Sequence, residues 1–348
     1  MSRTLMQRLF EPRSIHEIAP GTGVIVYSAL FLWTAFVLFP IYWVFITSFK
    51  TPVDVNSGPV YLPFIDFWPS LHAWQDLFVF DYKDTLRAYM NSLIIALFST
   101  AGSVLIGSMA AYALARFEYR PKFGVIVMFI LVMGVAFYTV GSFGVDWRLA
   151  SASGIAVFVF LVMSLSRHFK LQLSNGDILF WVISQRILAP IVVVVPIYLM
   201  FQQVNLLDTH IAIILTYTVI NLPIVVWLMY DFFRSIPFDL EESAQLDGAS
   251  RLWIFWDIVL PLSRSGLAAT TLLVMILAWN EYLLALFLST SQAQTMPILV
   301  AAMNAGERGI LWWTMSAVII VMIIPVIVLA VVLQRFIAKG LLLGAVKG

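Results

Sequence analysis

The stretch "VIVYSALFLWTAFVLFPIYWVFIT", residues 24–47, runs for 24 residues without a charged side chain. An α-helix rises about 1.5 Å per residue, so about 20 such residues cross the ~30 Å hydrocarbon core of a bilayer. The run exceeds the roughly 7–15 apolar residues of a secretory signal, and the polar, basic residues 1–23 precede it. It therefore predicts a retained first membrane span. Further runs of this kind lie at about 88–112, 124–143, 151–167, 180–201, 211–232, 266–289 and 312–334. The expected fold is all-α, a polytopic membrane helix bundle of about eight spans.

Composition agrees. Charged residues are 11% of the 348 and hydrophobic ones 61%, against roughly 25% and 45–50% in soluble domains. Most of this chain must have lipid as its solvent. A net charge of +1 gives no reason to expect nucleic acid or an acidic substrate. Cysteine is absent, which removes disulfides and thiolate metal sites. His16, His72, His168 and His210 are scattered, so no metal-ligand spacing exists, and no paired nucleophile and base suggests a catalytic site. The chain also lacks a Gly-x-x-x-x-Gly-Lys-Ser/Thr phosphate loop, so it does not itself carry an ATPase.

Orientation follows from Lys and Arg, which concentrate in cytoplasmic loops. With the N-terminus inside, Lys50, Lys83, Arg87, Arg148 and Arg308 face outward and Arg186 lies in the membrane; the other fourteen of the twenty are cytoplasmic. Both termini are then cytoplasmic. The chain divides into an N-terminal segment 1–23, a first span with its outward loop at 24–87, a membrane domain at 88–334 and a tail at 335–348. The outward loop carries "PVYLPFIDFWPSLHAWQDLFVF" (59–80), whose prolines and aromatics suggest a cap at the membrane interface.

The cytoplasmic loop 233–265 holds "EESAQLDGAS" (241–250), a polar island between apolar runs. Asp239 followed by Glu242 has capping-box spacing, which predicts a helix from Leu240. Its carboxylates suit the positive end of a helix dipole. Gly248 falls where a short helix would stop in the left-handed conformation. Leu252, Phe255, Trp256 and Val259 then form an i, i+3, i+4, i+7 apolar stripe on a second helix, limited by Pro261.

"EESAQLDGAS" with Leu260-Pro261 resembles the EAA loop of permease subunits of binding-protein-dependent ABC importers, with Ser243 in place of the first alanine. "NSLIIALFST" (91–100), "AYALARFEYR" (111–120), "AWNEYLLALFL" (278–288) and "QRFIAKGLLLGAVKG" (334–348) resemble segments of the maltose-type second permease subunit of the carbohydrate branch. The likeness runs from about residue 25 to the end, except at about 120–175. There the chain departs from the family's six spans by an inserted helical hairpin, whose expected role is structural packing, or else lipid contact or regulation.

The resemblance implies the type I ABC importer transmembrane fold, six core spans plus the inserted pair. It implies that the loop is the coupling helix, docking on a cytosolic ATPase through Glu241, Glu242, Ser243, Ala244, Asp247 and Gly248. It implies an outward loop at 290–311 that meets the binding protein, with Asn304, Gly306 and Glu307 as contacts. The implied partners are a second permease, two ATPases and an external sugar-binding protein, in the inner membrane of a bacterium. ATP and magnesium would bind the ATPases, with no cofactor on this chain.

Ionisable groups at membrane depth are costly and mark function or a buried pair. Arg186 is either a contact on the translocation path or a snorkelling anchor between helices. Asn280 and Glu281 either face the path or join helices. Pro190 and Pro196 would bend the helix after Arg186. The competing classes are an importer for a non-sugar solute, an ion-coupled secondary transporter, which would show paired inverted repeats, and an intramembrane enzyme, which would need paired His, Asp or Ser residues within spans.

Overall fold

The computed structural model describes residues 19–80, 82–304 and 311–345. These form helices and no strands; isolated bridges join Pro63 to Phe67 and Lys122 to Gln172. Six helices are long and apolar enough to cross a membrane, or eight spans if each of two sharply bent pairs counts as one. The chain is a multi-pass membrane helix bundle, divided into two compact units.

The first unit comprises the chain up to residue 91 and residues 294–327. Its first helix, α1 (Pro20–Thr47), starts with Pro20 at a position where a missing N–H costs nothing. Almost all of α1 is exposed, as befits a helix that is apolar all round and faces lipid. A short helix, α2 (Pro52–Asn56), follows, capped by a reciprocal Thr51–Asp54 box. The segment after α2 then folds back onto α1. Tyr42 Oη donates to Tyr61 O at 2.7 Å, the Trp43 and Tyr61 rings lie 5.3 Å apart, and Lys50 Nζ donates to Val60 O at 2.6 Å. Beyond Tyr61, the side chains of Leu62, Phe64, Ile65 and Trp68 are exposed. Asp66 holds this loop by accepting from the N–H groups of Tyr61 and Leu62, bonds that hold its carboxyl below the usual range. Ala73, Leu77 and Ala88 form the unit's core with Met296, Ala317 and Val318.

In the second unit, α3 (Tyr82–Arg116) leads to a hairpin, α4 (Phe123–Phe143) and α5 (Trp147–Leu165). These two pack on each other: Gly154 approaches Ala136, and Phe129 meets Phe158. The base of the hairpin is pinched shut. Phe123 N–H donates to Leu171 O, Leu173 N–H to Pro121 O, and Lys122 Nζ to Ser166 O. Asn175 Nδ2 then bonds the carbonyls of Leu114 and Phe117, so the chain leaves the hairpin where it began.

Helices α6 (Asn175–Ser184) and α7 (Pro190–Gln203) make up the expected span at 180–201 as a bent pair, meeting at 89°. Pro190 lacks an N–H and pushes Ala189 into extended backbone, so the helix restarts there, whereas Pro196 is absorbed inside α7. Next come α8 (His210–Arg234), α9 (Asp239–Leu246) and α10 (Arg251–Ile254), which continues through a π-turn, Phe255–Val259, to Leu262. An 83° bend leads to α11 (Arg264–Trp279). The expected span at 266–289 is likewise interrupted at Asn280–Tyr282, before α12 (Leu283–Leu288). Helix α13 (Met296–Asn304) returns to the first unit, and α14 (Trp312–Ala345) ends the described chain.

Hydropathy alone does not say which helix is central: α1 and α8 have equal mean hydropathy over their best windows, yet half of the α8 window is buried and none of α1's. Small and polar residues decide it, because in lipid they permit close backbone approach and hydrogen bonds between helices. Ser99, Ser103 and Gly107 recur every four residues along α3. Ser103 Oγ donates to Thr218 O at 3.0 Å, and a Cβ on Gly107 would lie 2.6 Å from Val225 Cγ1 of α8. Gly107→Ala is therefore expected to lower stability by ~1–3 kcal/mol through overpacking. Gly134→Ala on α4, whose added Cβ meets nothing within 4 Å, is expected to be neutral or stabilising. Thermal unfolding midpoints in detergent check the pair; equal midpoints would contradict the close α3–α8 packing.

Candidate functional site

Helix α9 begins at Asp239, one residue before the expected start, and no side chain caps it: Phe238 is the N-cap, its carbonyl accepting from the N–H groups of Glu241 and Glu242. The expected Asp239–Glu242 box is not formed, because Asp239 already lies within the helix. Pro237 fixes the approach instead. The other end matches expectation. Gly248 has φ +84°, its N–H donates to Gln245 O at 3.0 Å, and Ala249 N–H donates to Ala244 O at 3.0 Å. These are the two bonds of a Schellman stop. Ser250 then caps α10 by accepting from Trp253 N–H.

The expected docking residues separate into two sets. Glu242, Ser243, Asp247 and Gly248 are exposed, and Ala244 is half-buried. Ser243, Ala244, Asp247 and Gly248 line an open groove of about 770 Å³ with Leu240, Ala249, Ser250, Trp253 and Ile258. Leu240 and Leu246 are unusually exposed for leucines on a polar helix, at 47% and 89%. Small residues beside exposed leucines give a surface that a protein partner can seat against. Glu241 does not belong to it, which corrects its expected role as a docking contact: it is 0% exposed and points inward.

Inside, Glu241 Oε2 accepts from Tyr112 Oη at 2.8 Å, and Oε1 accepts from Arg116 Nε. Arg116 Nη2 also donates to Phe233 O at 2.9 Å and Ile236 O at 3.1 Å, at the C-terminal end of α8. One guanidinium thus ties the end of α3, the end of α8 and the first turn of α9. Its positive charge also suits the negative end of the α8 dipole. Aromatic rings enclose the cluster: Tyr112 lies 6.1 Å from Phe233 and 5.2 Å from Phe255. Removing one partner would leave a buried charge uncompensated, at ~3–5 kcal/mol.

The amphipathic stripe of α10 is displaced. Phe255 and Val259 are buried with Ile254, but Leu252 and Trp256 are exposed. The π-turn adds a residue per turn there and rotates the face, so a 3.6 period misassigns it.

The expected pathway residues sit at helix breaks. Arg186 lies in a 3₁₀ turn between α6 and α7, exposed, with Nη1 donating to Ile220 O at 3.1 Å. Asn280 closes α11, its Nδ2 donating to Ile276 O at 2.8 Å. Glu281 Oε1 accepts from Leu284 N–H at the start of α12, and its backbone carbonyl accepts from Tyr217 Oη at 3.1 Å. The structure does not bring Arg186 and Glu281 into contact. It anchors each break to the same turn of α8, at Ile220 and Tyr217, near the middle of that helix.

Of the expected outward contacts, Asn304 is exposed at the end of α13, while Gly306 and Glu307 lie outside the described residues. Sequence reasoning missed Asp208. In left-handed backbone (φ +59°), its carboxylate accepts from the N–H groups of Thr290, Ser291, Gln292 and Ala293 and from the Thr290 hydroxyl. Burial would raise this carboxyl, but those N–H groups prevail and hold it far below the usual range. The loop after α12 is thereby fixed at its start, residues 290–293. Arg116 and Tyr112 were also missed as site residues; an Arg ending an apolar helix reads as a topology charge.

Residues 176–342 match the family described as "Binding-protein-dependent transport system inner membrane component", a match that begins one residue past Asn175 at the base of the hairpin. That stretch carries the domain of this family of permeases. Among curated relatives it is 29% identical over 89% of each chain to the sulfoquinovosyl glycerol transport system permease protein SmoH of Agrobacterium fabrum. It is 28% identical to the trehalose/maltose transport system permease protein MalG of Thermococcus litoralis, over 89% of this permease and 92% of the other. It is also 28% identical to the diacetylchitobiose uptake system permease protein NgcG of Streptomyces coelicolor, over 93% and 89%. In fold it resembles a chain of a bacterial ABC transporter involved in alginate import, with TM-score 0.60 and 21% identity over 96% of this permease and 99% of the other.

Gly248 tests the groove locally. A Cβ there meets no atom within 4 Å, so Gly248→Ala strains only the backbone, by about 1–3 kcal/mol. Amide hydrogen exchange at residues 245–250 is expected to quicken by roughly tenfold, the equivalent of ~1.4 kcal/mol, with α3 unaffected. Unchanged exchange would show that the stop is not needed.

Proposed function

We propose that this permease is the membrane subunit of an ATP-driven importer for a sugar or sugar derivative, working by alternating access. The observation that carries this is the rigid, exposed α9 groove, stopped by Gly248 and lined by small residues, in a chain of the binding-protein-dependent family. The groove takes a surface of a cytosolic ATPase, since the charge asymmetry of the loops puts residues 233–265 inside the cell. Glu242, Ser243, Ala244, Asp247 and Gly248 are its contacts. ATP and magnesium act on that partner, and this chain contributes movement only. A second, related permease and a second ATPase complete the complex, and an external binding protein delivers the solute near Asn304 and the loop that Asp208 fixes.

The solute path runs past the two helix breaks. Interrupted helices at mid-span expose backbone groups only where protein or a wet cavity satisfies them, and both breaks converge on α8 around Tyr217–Ile220. The names of the relatives, with trehalose, maltose, diacetylchitobiose and sulfoquinovosyl glycerol among them, support a carbohydrate solute.

The permease purified in mild detergent with its bound subunits, then reconstituted into liposomes, is expected to take up at least one of radiolabelled maltose, trehalose or diacetylchitobiose only with ATP, magnesium and binding protein. Collapsing ion gradients with gramicidin should leave uptake intact. Uptake by the chain alone, abolished by gramicidin, would replace this reading with ion-coupled transport.

A further inference from the structure

We propose that Tyr112, Arg116 and Glu241 form a clamp that makes α9 and the cytoplasmic end of α3 move as one body. The proposal rests on α9 being the ATPase-docking helix and says which span receives its motion. A docking helix transmits displacement only if something stiffer than its linkers joins it to the membrane. The linkers here are short: residues 235–238 lead in and 247–250 lead out. The clamp is stiffer. Arg116 is the last residue of α3, its side chain is 6% exposed, and it bonds acceptors on α8, on the linker and on α9 at once. Arginine alone has a planar fork able to serve three acceptors in fixed directions; lysine supplies a point charge on a flexible stem. Glu241 sits back to back with the groove: Leu240, Ser243 and Ala244 face the partner while their neighbour faces the clamp. A push on one face of α9 therefore reaches α3 through a buried ion pair rather than through solvent.

The chain has no cysteine, so spin labels placed by Met109→Cys on α3 and Leu246→Cys on α9 are unique; both positions are exposed. Their separation is measured in nanodiscs, on the chain alone and on the complex with its ATPases, before and after trapping with ATP, magnesium and vanadate. The expected result is one narrow distance in every state. Arg116→Lys and Glu241→Gln should broaden it while ATPases remain bound, and stimulation of ATP hydrolysis by the co-purified binding protein should fall towards none. A purely structural role would reduce the amount of complex and leave that stimulation ratio unchanged. A shift of about a helical turn, ~5 Å, on trapping the unmutated complex would overturn the clamp. So would variants that keep both the narrow distance and the stimulation. If no ATPase binds, the docking reading fails by itself, and the distances on the chain alone still decide whether the pair holds α9.

Discussion

The ion pair between Arg116 and Glu241 is the constraint on which the α9 loop of this permease depends. Charges at the end of apolar helices ordinarily reach for water, yet here both are withdrawn from it. The withdrawal is tolerable because the groups that face each other are paired: the carboxylate takes one bond from Tyr112 and one from Arg116, and Arg116 Nη2 donates to the carbonyls of Phe233 and Ile236, at and just past the end of α8. With those bonds made, α9 has a fixed inner face, and its outer face is left free as a groove. The acidic character of "EESAQLDGAS" therefore divides between two duties, Glu241 inward and Glu242 and Asp247 outward.

The membrane portion is organised around α8. Close packing with α3 is set by Ser99, Ser103 and Gly107, residues too small to hold the helices apart. The broken helices α6–α7 and α11–α12 are fixed to α8 by one bond each: Arg186 at the first break donates to the Ile220 carbonyl of α8, and Tyr217 of α8 donates to the Glu281 carbonyl at the second. One helix is thus the reference both for the breaks at mid-span and, through its C-terminal carbonyls, for the clamp below. This continuity gives alternating access a physical route: a displacement of α9 is felt by the ends of α3 and α8, and α8 carries both breaks.

Much of this was legible in residues. Membrane length, the helical class, the Gly248 stop and the polar loop follow from local rules, because chain length in lipid and left-handed glycine backbone are local matters. The hairpin at 120–175 was legible too, as a pair of apolar runs between segments of family likeness. What local reading lost is long-range. Glu241 and Glu242 are indistinguishable in sequence, and only the α3 partner, 125 residues away, tells them apart. Asp208 carries no local signal, because its partners lie more than 80 residues on, at 290–293. The π-turn at Phe255–Val259 broke the period on which the α10 stripe was drawn, and of the two prolines expected to bend the span at 180–201 only Pro190 breaks it, at an 89° corner.

The central claim, that the outer face of α9 seats an ATPase, is tested most directly by photo-crosslinking in whole cells. A benzoylphenylalanine placed at Ser243 in the groove should give an adduct with a cytosolic protein carrying a nucleotide-binding phosphate loop, and the same group at exposed Phe160 on α5 should not. Adducts from Ser243 with an extracytoplasmic protein, or none with any nucleotide-binding protein, would contradict the account.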